Sequence, residues 1–466
     1  MLQNRLVHWF HGSRLLLAGL FGLLLAVLIS CNQQVPEASP VSSPLRIYWN
    51  RGLYPAEDQA LQQVVDAWKQ QSQTPVELAF FSSDDILNQT TIALESGNPP
   101  DILFAHRADY TLAPRWARDG KLVDLSDVVA AVEEKYSPIA LKSAYLYNKT
   151  NKKQGYYGVP IEMQAMHVHY WRDILAQVGL KDADIPNDWD GFWNFWRQTQ
   201  RRVQTSTSYK NIYGLGLPLS TKASDTYFLF EQILEAYNIH PVDQQGKLRL
   251  QEPQVRQAVI TAMEWLCHFY RDQDAPSDAI NWVDPDNNVD FLNRNSLMTV
   301  NPSLSIPASQ QDDSQMYFQQ IATREFPNKP DGTPMNYLIS VKQALVFEAG
   351  RNHEAAKDFL SYLTQPEQLS AYVQEALGRS VPAMPDALKQ PFWRDSTDPH
   401  IATAVRQFSQ RPNRAFYNVL NPAYSQVQAE NVWGEAIHAA LVEGQTVDAA
   451  VDAAIARIQQ IFADWA

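Results

Sequence analysis

Cysteine is almost absent: the 466 residues contain Cys31 and Cys267 and no other. A disulfide-stapled scaffold is therefore excluded, because a framework of bridges needs several paired thiols. Cations are scarce too, with 38 Lys and Arg against 51 Asp and Glu and a formal net charge of −13. No basic stripe occurs, which argues against a nucleic-acid binder, since phosphate backbones are gripped by clustered Lys and Arg. After residue 31 no apolar run approaches the roughly 20 residues that a bilayer span requires. Catalytic signatures are missing as well: there is no GxSxG, HExxH or GxxxxGK[ST] pattern. The pairs Asp84-Asp85, Glu133-Glu134 and Asp312-Asp313 read as helix starts or solvated faces rather than as the working carboxylates of a glycosidase. An exported carbohydrate-active enzyme is thus only the alternative reading.

Metal signals are weak. Asp284-Pro285-Asp286-Asn287-Asn288 begins like a calcium loop, but Val289 replaces the turn-making Gly and no Glu closes the loop at Asn295. His167 and His169 would share one face of a strand, without a third ligand. No metal or cofactor is expected.

What the chain does contain is a 45% hydrophobic, ordinary globular composition with 13 Trp and 20 Tyr, residue types favoured at recognition surfaces. Its first 31 residues form a separate object. Arg5 and Arg14 give a basic start, Leu15 to Ile29 an apolar run, and Leu28-Ile29-Ser30-Cys31 an ending like a bacterial lipobox. The expected reading is a signal peptide over 1–30 and a lipidated Cys31. A Pro/Ser/Gln-rich tether follows over 31–44. The mature protein is then exported and membrane-anchored only through lipid, facing the periplasm or cell exterior. Cys267, in an apolar helical pattern, reads as a core residue.

From Leu45 the pattern is strand, helix, strand, helix, strand. The apolar runs 45–49, 76–81 and 102–105 alternate with a helix over 56–71 and another begun by Ser83 as N-cap, which indicates a parallel α/β sheet. Such sheets place ligands beyond the carboxyl ends of their strands. Trp49, Phe81 and His106 stand at those ends. Further strands are expected at 156–160, 167–171, 297–301 and 338–347, with a polar, irregular stretch over 309–334. Helices are expected over 189–203 and 352–363 and in a C-terminal pair whose last member carries a stripe from Val447 to Ile461. Trp68, Trp193 and Trp196 fall at helical core spacing.

Several segments, in this order, resemble the extracellular solute-binding proteins of bacterial ABC importers, the family that includes maltose-binding protein. They are SGNPPDILFAH (96–106), YGVPIEMQAMHVHYWRDILAQVGL (157–180), FLNRNSLMTVNPS (291–303), AAKDFLSYLTQPEQL (355–369) and VWGEAIHAALVEGQTVDAAVDAAIARIQ (432–459). The resemblance implies two α/β lobes with mainly parallel sheets and a hinge between them. The expected division is 45–157 plus 335–380 for one lobe and 158–334 plus 381–466 for the other. It also implies a monomer that closes on a neutral sugar or a sugar-derived compatible solute such as glucosylglycerol and delivers it to a permease and its ATPase. Presentation of the ligand to a membrane sensor is a further possibility. His106, Asp109 and Tyr110 after the third strand, Glu162 at the crossover, Asn301 at a strand end and Trp433 at the last helix pair match family ligand positions. The chain departs from the family at Pro302-Ser303-Leu304 and at Met335-Asn336-Tyr337.

A sugar offers apolar C–H faces and a rim of hydroxyls, so aromatic faces and planar polar groups suit it. Trp49, Tyr54, Tyr110, Trp282 and Trp433 are the candidate stacking residues. Asp58, His106, Asp109, Glu162, Asn301 and Asn336 are the candidate polar ones. Arg107 is the only cation that the sequence places at a strand end, which disfavours an anionic ligand.

Overall fold

The structure is a computed structural model that describes residues 43–395 and 397–465. The expected signal peptide, the expected lipidation site Cys31 and nearly all of the expected tether lie outside these residues. Among the described residues thirteen strands run in chain order: β1 Leu45–Asn50, β2 Val76–Phe81, β3 Ile102–Phe104, β4 Tyr145–Asn148, β5 Lys153–Tyr156, β6 Val159–Gln164, β7 His167–Trp171, β8 Tyr213–Gly216, β9 Ser296–Asn301, β10 Ile321–Arg324, β11 Tyr337–Val346, β12 Val381–Pro382 and β13 Asn413–Ala415. Two sheets dominate. One is ordered β12-β6-β11-β3-β1-β2 with β13 beside β11, the other β10-β7-β9-β8, and β4-β5 is a separate hairpin.

The sheets are mixed rather than mainly parallel. β1 pairs in parallel with β2 and β3, but β11 runs antiparallel to β3 and β6. In the smaller sheet β8-β9 is parallel, whereas β7 is antiparallel to β9 and β10. The connections give the reason. The chain leaves the larger sheet at the carboxyl end of β6, crosses in two residues to β7, and re-enters at that same end as β11. A strand that returns at the end where another left must run against it. The crossing therefore falls after Gln164 instead of at 157/158, and β12 also pairs in the larger sheet, against Met163 and Glu162.

Helix Pro55–Ser72 buries Leu61, Val64, Val65 and Trp68 on one face, with Pro55 in its first turn, where a missing N–H costs nothing. Helix Asp85–Glu95 starts two residues later than its expected Ser83 cap. It is Ser82 whose hydroxyl accepts the Asp85 N–H at 3.1 Å, because the Ser83 hydroxyl is turned to Asn50 Oδ1. The 309–334 stretch is less irregular than expected, since β10 forms an edge within it. Trp68, Trp193 and Trp196 are core residues, and Cys267 is a buried free thiol. The final helix, Val447–Trp465, buries its apolar stripe as expected. No described helix is long and apolar enough to cross a membrane.

Trp68 packs edge-on against Phe359 at 5.4 Å and donates from Nε1 to Asp358 at 2.8 Å. Trp68→Ala removes both contacts and opens a cavity, at a cost of about 3–5 kcal/mol. The check is urea unfolding, in which the midpoint should fall with an unchanged slope.

Candidate functional site

A cleft of about 340 Å³ lies where strand ends from the two sheets converge. β1 exits into Arg51, Gly52 and Leu53, β2 into Ser82, Ser83 and Asp84, and β3 into His106 and Arg107. From the smaller sheet, β9 exits into Asn301, Pro302 and Ser303. Lys222, the first turn of helix Ser224–Ala236 with Ser224 and Asp225, and the segment Asp284–Asn288 complete that wall, while Gln164 and Arg379 lie at the junction. Hollows of about 570 Å³ beside Glu367 and about 560 Å³ beside Arg324 are larger, but they are not formed by converging strand tips.

The turn after β1 is tight. A Cβ at Gly52 would sit 2.3 Å from Glu57 Cβ, so the position accepts only glycine without a shift. The Gly52 N–H donates to Asp58 Oδ1 at 2.8 Å and Leu53 N–H to Glu57 Oε1 at 3.0 Å, which locks the turn onto the following helix. Opposite, Asn301 donates to Asn288 Oδ1 at 2.6 Å and accepts from Ser303 N at 2.9 Å and Ser303 Oγ at 3.0 Å. Asn288 in turn donates to Ser305 Oγ at 2.9 Å. Asp284 accepts from Ser224 N and Oγ at 3.1 and 2.5 Å and from Asp225 N at 3.3 Å. The would-be calcium segment is thus divided among separate partners: Asp284 faces the cleft, Asp286 accepts the Val283 N–H, and Asp290 accepts the Ser296 hydroxyl. His169 likewise bonds Thr323 Oγ1, at 2.9 Å.

Beneath the cleft is a buried charge cluster. Arg379 lies 3.2 Å from Glu57 and 3.3 Å from His106 Nδ1. Lys342 donates to the His106 carbonyl at 2.7 Å and stands 3.9 Å from Asp109. Cross-strand register puts Lys342 opposite Glu162. Burial is the largest influence on each acid. It raises Glu57 and Glu162 above the usual carboxylate range against the pull of Arg379, and pushes Asp109 up to about 7 against that of Lys342. Burial, then Arg379 and Lys342, holds His106 well below its ordinary value, so its ring is neutral. In the cleft wall, burial and then the Asp284 charge raise Asp225 well above the carboxylate range.

Of the sequence candidates, His106 and Asn301 line the cleft. Tyr54 spans it indirectly, its hydroxyl donating to the Ser305 carbonyl, and Asp58 holds the Gly52 turn. Glu162 lies in the buried cluster. Asp109 and Tyr110 border a separate hollow of about 20 Å³, where Lys342 sits 4.7 Å from the Tyr110 ring centre. The remaining residues are drawn elsewhere by packing. Trp49 stacks on Phe104 at 4.2 Å, Trp433 donates to Tyr424 at 2.9 Å within the core, and Asn336 donates to Glu235 at 2.8 Å. Trp282 is buried beside Val283 without reaching the lining. Arg107 is not the only cation at hand: Arg51, Lys222 and Arg379 line the cleft as well. The rule that found His106, polar residues directly after a strand, extends to Arg51 and Ser82. Lys222 and Asp284 lie in loops and Asp225 in the first turn of a helix, and nothing local in the sequence brings them together.

Residues 63–403 match the family model of bacterial extracellular solute-binding proteins. The chain belongs to this family. The multiple sugar-binding protein of Streptococcus mutans is 22% identical over 373 residues, covering 76% of this chain and 79% of that protein. Among solved structures, a tagatose-bound solute-binding protein of Thermotoga lettingae aligns with a TM-score of 0.74 at 18% identity, covering 90% of this chain and 100% of that one. The maltose-bound MalE3 of T. maritima gives 0.71 at 18% identity, covering 89% and 99%. These structures share the two-lobed periplasmic-binding-protein fold with this chain.

The raised Asp109 gives this solute-binding protein a checkable pH signature. The folded state retains the proton above the ordinary value of 3.8, so Asp109 favours folding at low pH, and that contribution is lost as pH rises towards about 7. Asp109→Asn should therefore gain stability relative to the parent as pH climbs from about 4 to 7. Paired urea titrations of parent and variant across that range measure the difference.

Proposed function

We propose that this protein captures a neutral sugar, or a sugar-derived compatible solute such as glucosylglycerol, in the cleft between its two sheets and passes it to an ABC permease. The observation that carries the reading is the cleft's lining: strand tips from both sheets present interleaved amides, hydroxyls, carboxylates and guanidinium groups around a solute-sized space. A hydroxyl both donates and accepts, and such a mixed rim satisfies it in either sense. Arg107 is met by Asp84 at 3.6 Å and Arg379 by Glu57 at 3.2 Å, with Asp284 on the opposite wall, and cations so accompanied by carboxylates favour an uncharged ligand. The ligands named for the structural neighbours, tagatose and maltose, agree with this reading.

In this reading the lobes divide at 165–166 and again within 325–336, the two strand crossings, and closure about them completes the ligand's hydrogen bonds and excludes water. The protein acts as a monomeric binder without catalytic turnover, tethered through a lipid on Cys31 and facing the periplasm or cell exterior. Thermal-shift screening against neutral sugars and polyols, followed by small-angle scattering on each hit, tests the proposal. A hit should raise the melting temperature and reduce the radius of gyration. Binding without compaction would reject closure, and hydrolysis of a bound glycoside would favour the enzyme reading.

A further inference from the structure

Most residues lining the cleft are charged or polar; Leu53, Val283, Pro285 and Pro302 are its apolar members, and no Trp, Tyr or Phe is among its described lining residues. The rings that could have served as platforms are committed elsewhere, Trp49 against Phe104 and Trp433 on Tyr424. Without an aromatic face to stack on, the C–H face of each added sugar ring gains little and its hydroxyls must be matched one by one, so length gains little affinity. The volume of about 340 Å³ also sits near the lower end of the roughly 300–1,000 Å³ range of small-molecule pockets.

Two groups on opposite walls stand out as anchors. Arg107, from the β3 side, makes no side-chain hydrogen bond among the described residues. Its Nε is buried without a partner, and its nearest acid, Asp84, is 3.6 Å away. Opposite, Asp284 is fixed by Ser224 and by the Asp225 N–H, and its charge is felt by Arg107. A guanidinium donates two parallel N–H bonds to neighbouring acceptors, and Asp284, with three of its roughly four acceptor sites engaged, keeps about one for a ligand hydroxyl, so the pair suits one small molecule held from both sides.

Resting on the sugar reading above, we infer that the cleft selects a compact solute, of mono- to disaccharide size, clamped between Arg107 and Asp284 instead of stacked on an aromatic platform. Arg107 is then the residue that determines specificity, and longer oligosaccharides bind no tighter than the compact solute.

The test is calorimetric titration of the full-length protein and its Arg107→Met and Asp284→Asn variants. The probes are glucose, glucosylglycerol, sucrose, trehalose, maltose, maltotetraose and laminaritetraose. Circular dichroism and the melting temperature establish that each variant is folded. The expected result is a best ligand among the mono- and disaccharide-sized probes, with affinity reduced at least about tenfold in Arg107→Met, as for a lost charge-assisted hydrogen bond. Tighter binding of either tetrasaccharide, or a folded Arg107→Met that binds within twofold of the parent, overturns the compact-clamp inference and leaves the sugar reading standing. Failure of the folded parent to bind any probe overturns the sugar reading and the inference with it.

Discussion

The arrangement depends on one buried guanidinium. Arg379 cannot shed its charge, and it lies where the larger sheet, the helix carrying Glu57 and the loop after β9 meet. Its side chain holds Glu57 and the His106 ring, and its backbone carbonyl accepts the Leu304 N–H at 2.8 Å. Burying such a charge costs several kcal/mol unless it is paired, and the nearby carboxylates of Glu57 and Glu162 supply the compensation. Burial, reinforced by the Arg379 charge, keeps His106 neutral, so the floor of the cleft contains ions and yet offers a small solute an uncharged ring.

Few direct bonds cross from the larger sheet to the loops after β9. Tyr54 donates to the Ser305 carbonyl, Gln311 to Leu377 at 2.9 Å, and Leu304 to Arg379. A joint held by a handful of hydrogen bonds around a polar cleft can exchange them for bonds to a ligand at modest cost. The strands on either side are wholly buried, β6 and β11 in the larger sheet and β7 and β9 in the smaller, so each sheet moves as a rigid body.

Much of the fold was legible because it is local. Hydrophobic period placed β2 and β7 to the residue and the helices at 55–72 and 189–206 within a few residues, and Pro55 and Pro75 marked the start of the first helix and of β2. Strand direction was not legible. Whether β11 runs with or against β6 is set by which end the chain re-enters, a long-range fact absent from any window of residues. The candidate site divides on the same line. His106 and Asn301 were readable as strand exits. The aromatic candidates misled because a Trp at a strand end can satisfy its ring in the core as readily as at a cleft, as Trp49 does on Phe104. Arg379, between a left-handed Gly378 and β12, has no local mark of its role.

The central claim is that ligand is held at the converging strand tips, and a crystal structure with glucosylglycerol or a disaccharide bound tests it most directly. The account predicts ligand density between the exits of β1 to β3 and the Lys222–Asp225 and Asp284–Asn288 segments. Density in the hollow beside Arg324 or beside Glu367, with the cleft left unfilled, would contradict it.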